Sequence, residues 1–389
     1  MTHTADVSCR LLEVDFSGIE AVLTGRCLWR HGFSADLARQ YIRLARLGMH
    51  AAVTGLKVGQ PVDLSKPDGE VAAALKAIKH AYPKEYDTSK RTVHANNFGM
   101  TVFGMQEKFP EFFPTIKAAQ EFQQYYYALA PDLPKWHRAL RRHAREAGYL
   151  GGQTLPPAPS SSWDHEYNYR HWFWDVLTYR PINEFTARKW MKDPTRAWRV
   201  VNLHGRWFKA DLGNDGNRVI AFYPQSIAAG RLKEAENRLF KPWSDDYIGD
   251  AYFGRTPLLG PIHDSLLLHV PMRCWDRVVE IVARVMQEPS RYLPIPEAWG
   301  WGSYLPIGVA GKAGRNWAPE VTEDDQIKIK LTHGIDVPLN PSGMEDIDLP
   351  AWWAPDGAAV PHAGPDDPVL PREGEGEEDE WKALERHVA

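Results

Sequence analysis

The sequence predicts an α+β fold in which an antiparallel sheet supports a separate helical region. Three observations predict it. Leu11, Leu12 and Val14 make a short apolar strand that ends in Asp15. From Ser34 to Ala147 apolar residues recur at helical spacing, with Leu37, Tyr41, Leu44 and Leu47 on one face of the first segment. Leu258 to Val270 reads as two apolar strands around His263-Asp264, the pattern of a hairpin.

The remaining elements follow in order. Helices are expected at Ser34–Gly48, Glu70–His80, Lys90–Phe103, Ile116–Tyr127 and Lys135–Ala147. Gly55 to Gly69 is rich in turn formers, Pro110 to Pro114 breaks the chain, and Ala130-Pro-Asp-Leu-Pro134 separates the last two helices. Gly148-Tyr-Leu-Gly-Gly152 ends the last helix in a hairpin-like turn, and Pro156 to Ser162 is a loop. Trp163 to Phe208 is dense in aromatics, with strand-like alternation at Tyr169–Val176. Packing in a local core explains such density, and so does stacking on single-stranded bases. Gly213-Asn-Asp-Gly216 is a turn, and Ser226–Leu239 and Trp275–Met286 are helices. Ile327 to Leu331 fits a strand, and from Pro355 the composition becomes that of a disordered acidic tail.

A chain of 389 residues with 43% hydrophobic content can bury a sizeable core. No apolar run approaches about 18 residues, which predicts no membrane span. The opening MTHTADVSCR lacks the apolar stretch of a signal peptide. Cys9, Cys27 and Cys274 suit neither a disulfide framework nor a zinc site, so a reducing, cytoplasmic setting is expected. The net charge of −4 hides an asymmetry: residues 320–389 carry 18 acidic and 5 basic residues, which leaves 32 acidic and 41 basic in 1–319. A basic body suits a polyanionic partner, and a soluble protein with an acidic tail has the same charge asymmetry without one.

Three stretches carry chemistry. Asp15-Phe-Ser-Gly-Ile-Glu20 sets a carboxylate at a strand end, where an exposed turn begins. Lys90, His94 and Phe98 are spaced four apart along one helix face, a cation, an imidazole and a ring that suit a nucleoside triphosphate. An amphipathic helix with Phe98 in the core has the same pattern. His263-Asp264 lies between apolar runs. Asp15 and Asp264 on adjacent strand ends would hold two magnesium ions about 3.5–4 Å apart, with nucleotide phosphates completing the coordination.

In this order the stretches resemble motifs A, B and C of family A DNA polymerases, the group of bacterial polymerase I and related phage enzymes. Asp15-Phe-Ser-Gly-Ile-Glu20 is similar to the family's Asp-Tyr-Ser-Gln-Ile-Glu, and His263-Asp264-Ser265 to its His-Asp-Glu. Lys90, His94 and Phe98-Gly99 stand where the family has Lys, an aromatic residue and Tyr-Gly. Weaker likenesses lie at Gly48-Met-His50, Tyr125–Pro134, Ala144–Leu150, Pro224-Gln-Ser-Ile-Ala-Ala229, Leu305–Gly308 and Gly314–Trp317.

The resemblance implies a right-hand architecture, a partial palm with helical fingers and without thumb or exonuclease. Palm strand and motif A would occupy 1–25, fingers 26–160, an aromatic-rich connection 161–215, palm with motif C 216–319, a C-terminal extension 320–354 and the acidic tail 355–389. Asp15 and Asp264 would bind two Mg2+ ions with the Phe16 carbonyl as a further ligand. Lys90 would neutralise the triphosphate, Glu20 would exclude a ribose 2′-hydroxyl, and His50, His94 and Phe98 would shape the nucleotide pocket. Gln225 and His263 would touch the primer–template DNA, and dNTPs would be the substrates. His94 replaces an aromatic residue, Tyr86 stands where the family has arginine, and Ser265 replaces an acidic residue.

Only 14 residues precede Asp15. The resemblance then implies the C-terminal part of a split, phage-like polymerase. A separate chain would supply thumb, early palm and exonuclease, and the palm's remaining strands would come from that chain, with Asp15 fully organised only when it is bound. Two alternatives stay open. A single-subunit RNA polymerase fragment shares the palm and is similar at Ser89–Val93 and His263–Ser265, whereas Glu20, Gly148-Tyr-Leu150 and the Gly314–Trp317 ending stand against it. A non-catalytic DNA-binding remnant would have no need for Asp15, Asp264 and Lys90 together.

Overall fold

The computed structural model describes residues 9–151, 170–173, 176–192, 200–213, 215–248, 258–314 and 326–329. The expected loop at 156–162, most of the C-terminal extension, the end of the Gly314–Trp317 segment and the acidic tail lie outside them. Trp163, Trp174 and Trp198 of the aromatic-rich segment lie outside them too.

A strand buried on both faces belongs in the middle of a sheet, and β1 (Cys9–Phe16) is buried along nearly its whole length although Arg10, Glu13 and Asp15 interrupt its apolar residues. It is central to a five-stranded antiparallel sheet of order β10 (Gln326–Ile329), β9 (Val309–Gly314), β1, β8 (Ser265–Pro271) and β7 (Leu258–Ile262). β1 pairs with β8 from Cys9↔Pro271 to Asp15↔Ser265, and with β9 from Leu11↔Gly314 to Phe16↔Val309. Both neighbours therefore belong to this chain. The palm's remaining strands were expected from another polypeptide; the two that satisfy β1's backbone instead arrive from some 250 residues or more downstream in this chain.

Helices cover the sheet. α1 (Ile19–Arg30) follows β1 directly and packs on α2 (Ala35–Leu47). Gly25 makes the approach close, since a Cβ there would stand 2.5 Å from Ile42 and 3.0 Å from Tyr41. The Ser34 hydroxyl caps α2 by accepting from Leu37 N–H. α3 (Met49–Lys57), α4 (Asp68–Ala81), α5 (Pro83–Asn97), α6 (Val102–Lys108), α7 (Ile116–Leu129) and α8 (Leu133–Ala147) complete the helical region. α8 stops at Gly148 in the left-handed conformation and passes into a small hairpin, β2 (Tyr149–Gly151) with β3 (Arg170–Trp172).

The single helix expected at Lys90–Phe103 is two helices. The first starts at Pro83, whose fixed φ suits a first helical position. The break falls at Gly99, which has φ +72 and where any side chain would run into Ile220, Arg141 and His137. α3 was not expected, because Gly48 and Gly55 read as turn signals.

β4 (Leu177–Pro181), α9 (Glu184–Met191), β5 (Val200–Leu203) and β6 (Arg206–Leu212) form a separate three-stranded sheet of order β4-β6-β5 with one helix. α10 (Arg218–Phe240) begins well before the expected Ser226, running through Pro224. α11 (Trp275–Gln287) turns Val278, Val279, Ile281, Val282, Val285 and Met286 inward and lies against β1, β8 and β9. One core cluster runs from Leu12 and Val14 through α1, α2, α7 and α8 to α10, α11 and Ala313.

Candidate active site

β1 and the β7–β8 turn build the first part of the site. Ile262 pairs with Ser265, so His263 and Asp264 alone form the turn, and His263 adopts φ 55 to close it. The Ser265 hydroxyl donates to the Ile262 carbonyl at 2.9 Å, and the Phe16 N–H donates to the Asp264 carbonyl at 3.3 Å. The turn is thereby tied to the end of β1, where Asp15 faces Ser265 across the ladder. The Phe16 ring is buried, and Arg231 from α10 lies over it at 5.6 Å.

The Asp15 and Asp264 carboxylates crowd each other. Burial, then the charge of Asp264 and a side-chain contact with it, push the Asp15 carboxyl up to about 7. Glu13 adds to the push, and Lys312 on β9 opposes it. Asp15 Oδ1 is buried with no hydrogen-bond partner. A buried oxygen without a donor, beside a second carboxylate, is the environment a divalent cation relieves. The residues present therefore fit such an ion. Among the described residues no group of three or more His, Cys, Asp or Glu side chains assembles. The protein would supply two carboxylates, with the Phe16 carbonyl and substrate oxygens completing the shell, as magnesium commonly requires.

The second part begins four residues later. Glu20 sits in the first turn of α1, half-buried, with Oε2 3.6 Å from His94 Nε2. The His94 ring meets Phe98 edge-on at 4.7 Å. Phe98 is the residue that ends α5 rather than a member of the helix, yet it keeps its place beside His94. Lys90 is exposed one turn earlier. His50, on α3, is held down to about 4 by burial and by the nearby charges of Lys90 and His94. It is therefore neutral at pH 7. Its ring meets Tyr86 edge-on at 6.3 Å, and Lys79 reaches over the Tyr86 ring at 5.2 Å.

The expected residues thus fall into two groups joined by the start of α1: Asp15, Phe16, Asp264 and His263, then Glu20, His50, Lys90, His94 and Phe98. Gln225 is exposed on α10, and no contact places it in either group. Three further side chains, unmarked by any local motif, lie beside these groups. Arg231 donates to the carbonyls of Val285, Met286 and Glu288 at 2.8–2.9 Å while covering Phe16. Lys312 tempers Asp15, and its only sequence signal is a cation inside an apolar strand. Lys79 returns a cation to the side of Tyr86, where the resembled family carries arginine.

No helix among the described residues is long and apolar enough to cross a membrane. No protein-family model matches the chain, and no curated protein sequence does. Among solved structures it is similar to the POL domain of Pol1 from M. smegmatis in complex with DNA primer-template and dNTP, at 16% identity and a TM-score of 0.44. That match covers 81% of this chain and 41% of the other, so the chain spans less than half the length of that structure.

Proposed function

We propose that the chain is a template-directed DNA polymerase of the family A type, with β1, β7, β8 and β9 as palm and α2–α8 as fingers. One observation carries the reading: two crowded carboxylates on interlocked strand ends, one with an unsatisfied buried oxygen, stand next in sequence to a helix whose Glu20 meets the His94–Phe98 row. The order of the three sequence motifs supports it.

Divalent cations bound by Asp15, Asp264 and the Phe16 carbonyl would lower the pKa of a primer 3′-hydroxyl and polarise the nucleotide phosphates. In the reaction the 3′-hydroxyl gives its proton to solvent, its oxygen forms a bond to the α-phosphorus, the bond from that phosphorus to the bridging oxygen breaks, and pyrophosphate leaves. Lys90 neutralises the triphosphate as an exposed point charge and donates a proton to the leaving group. Lys79 stands in for the family's second cation near the phosphates. Neutral His50 donates a hydrogen bond to a phosphate oxygen without adding charge. Glu20 and His94, already in contact, fill the space a ribose 2′-hydroxyl would need, and Phe98 walls the pocket. Gln225 and His263 reach the primer–template.

Primer extension with a labelled duplex, Mg2+ and dNTPs tests the reading. Incorporation by the parent chain, lost in Asp264→Ala with primer–template binding retained, supports it. Absence of any incorporation by the parent at low salt, with or without a thumb-bearing partner chain, overturns it. Extension by this chain alone would remove any need for a second chain. Replacing dNTPs by rNTPs in the same assay separates a DNA from an RNA polymerase.

A further inference from the structure

The small sheet at 176–212 lies outside the machinery just described. The aromatic density of 163–208 suits a local core first and a stacking surface second; Phe173 does join the core, whereas the described rings of 177–208 do not. Among the described residues of 177–212, none is a member of the protein's core cluster, although the adjoining Val176 is. Among the described residues of 176–212, Val176, Ala187 and Ala210 are buried hydrophobics, while Phe185 is 79% exposed. Trp190 and Trp207 are only half-buried. Among the described residues, these rings lie outside the core cluster.

They are also not randomly placed. β6 is the central strand, and Trp207 and Lys209, two residues apart, point to the same face. Arg180 on β4 stands directly opposite Lys209, so it shares that face. The Lys209 ammonium lies 5.4 Å from the centre of the Trp190 ring, which brings the indole of α9 into the same group. The result is two cations interleaved with two indoles, with Phe185 and Lys189 exposed on the adjoining helix. The described residues 176–192 and 200–212 carry six Lys or Arg against two Asp or Glu, in a protein of net charge −4. An apolar protein partner would not call for this charge. A polyanion with accessible π-faces would, and a duplex hides those faces in its stack.

We propose that this sheet and α9 form a binding surface for single-stranded nucleic acid, with Arg180 and Lys209 on the phosphates and Trp190, Trp207 and Phe185 stacking on unpaired bases. Such surfaces combine a basic track with aromatic platforms and are tolerant of sequence. The inference needs no catalysis, so a failure of nucleotide incorporation leaves it standing, and its own failure leaves the active-site reading standing.

The test uses the full chain and a fluorescein-labelled oligo(dT) of about 16 nucleotides, a length within the range such surfaces cover. Affinity is read by anisotropy. Trp207→Ala and Phe185→Ala are each expected to weaken binding by about tenfold, the scale of one lost base stack. Arg180→Ala combined with Lys209→Ala should lower the slope of log affinity against log salt by about 1.4. Trp243→Ala is the control, an 81%-exposed tryptophan with Lys241 5.5 Å from its ring but just past the end of α10. It should bind as the parent does. Phe185 is too exposed for its removal to unfold the chain, and thermal melts verify the others. The proposal is overturned if the variants of the small sheet bind oligo(dT) like the parent. It is equally overturned if Trp243→Ala loses as much, or if the aromatic substitutions weaken a duplex of the same length to the same extent.

Discussion

The five-stranded sheet and the three-stranded sheet of this protein use the same kind of pairing for opposite ends. In the large sheet, β1 is paired on both sides, helices cover it, and the turn carrying Asp264 is bonded to the strand carrying Asp15. In the small sheet a few antiparallel pairs hold a surface whose described residues are not members of the core cluster. Chemistry requires atoms fixed in place, and the large sheet fixes two mutually repelling carboxylates by packing around them. The proposed binding of a flexible strand needs accessible rings and charges, and there Arg180 and Phe185 are exposed while Trp190, Trp207 and Lys209 are half-buried.

The sharpest way to break this comparison is at the carboxylates. Asp264→Ala and Asp15→Asn should each cut nucleotide incorporation by on the order of a thousandfold, the scale of losing preorganised charge stabilisation at a reacting group. Activity retained by either would place the chemistry elsewhere. The same Asp15→Asn change should raise the melting temperature at pH 8 in chelator-containing buffer. The folded state holds the Asp15 carboxyl near 7, above its ordinary 3.8, so its stabilising contribution is complete below 3.8 and lost as pH rises through about 7. An unchanged or lower melting temperature would mean that the crowding is relieved in solution.

Core truncation comes next. Leu268→Ala on β8, fully buried, should cost about 2–5 kcal/mol in chemical denaturation. Trp207→Ala on β6 should leave the main transition where it is, because the small sheet lies outside that core. Equal losses would show that the two sheets unfold as one.

Acid should act on the helical region. The Trp136 indole donates to His31 Nδ1 at 2.6 Å, and His137 Nε2 meets the Asn97 carbonyl at 2.9 Å. Burial, with Arg26, Arg30 and His143 near His31 and with Arg141 and Arg138 near His137, holds both imidazoles at about 3. Their folded pKa lies below the unfolded 6.5, so the stability they allow is complete above 6.5 and lost as pH falls toward 3. Melting temperature should drop between pH 7 and pH 5. His31→Gln should flatten that drop, and a parallel profile in the variant would remove His31 from the account. The smallest effect is expected at Phe185→Ala, whose stability should stay within about 0.5 kcal/mol of the parent while oligonucleotide binding falls.

Strands whose residues are apolar on both faces were legible in the sequence, which is why β1, β7 and β8 lie where Leu11–Val14 and Leu258–Val270 place them. Helices with one apolar stripe were legible as well, as α2, α8 and α11 illustrate. The break at Gly99 was not, because the clash that makes it obligatory comes from Ile220, more than a hundred residues away. α3 and the start of α10 were hidden by Gly48, Gly55 and Pro224, residues that punctuate chains in isolation but are tolerated where neighbours pack on them. At the site, Asp15 and Asp264 could be paired only through the order of motifs. Lys312 and Arg231 depend on strand register and helix crossing, which no local pattern encodes.

Arg231 has a kinetic consequence. Its guanidinium holds the last carbonyls of α11 from another helix, 54–57 positions earlier in the chain, while lying over Phe16 of β1. Three elements distant in sequence therefore share one fastening, and none can open far without releasing it. The amides of β1, α10 and α11 should then exchange with solvent in a single step of common free energy. Arg231→Met should split that step, letting the end of α11 exchange early while β1 stays protected. Exchange that is already independent among the three elements in the parent would refute the idea.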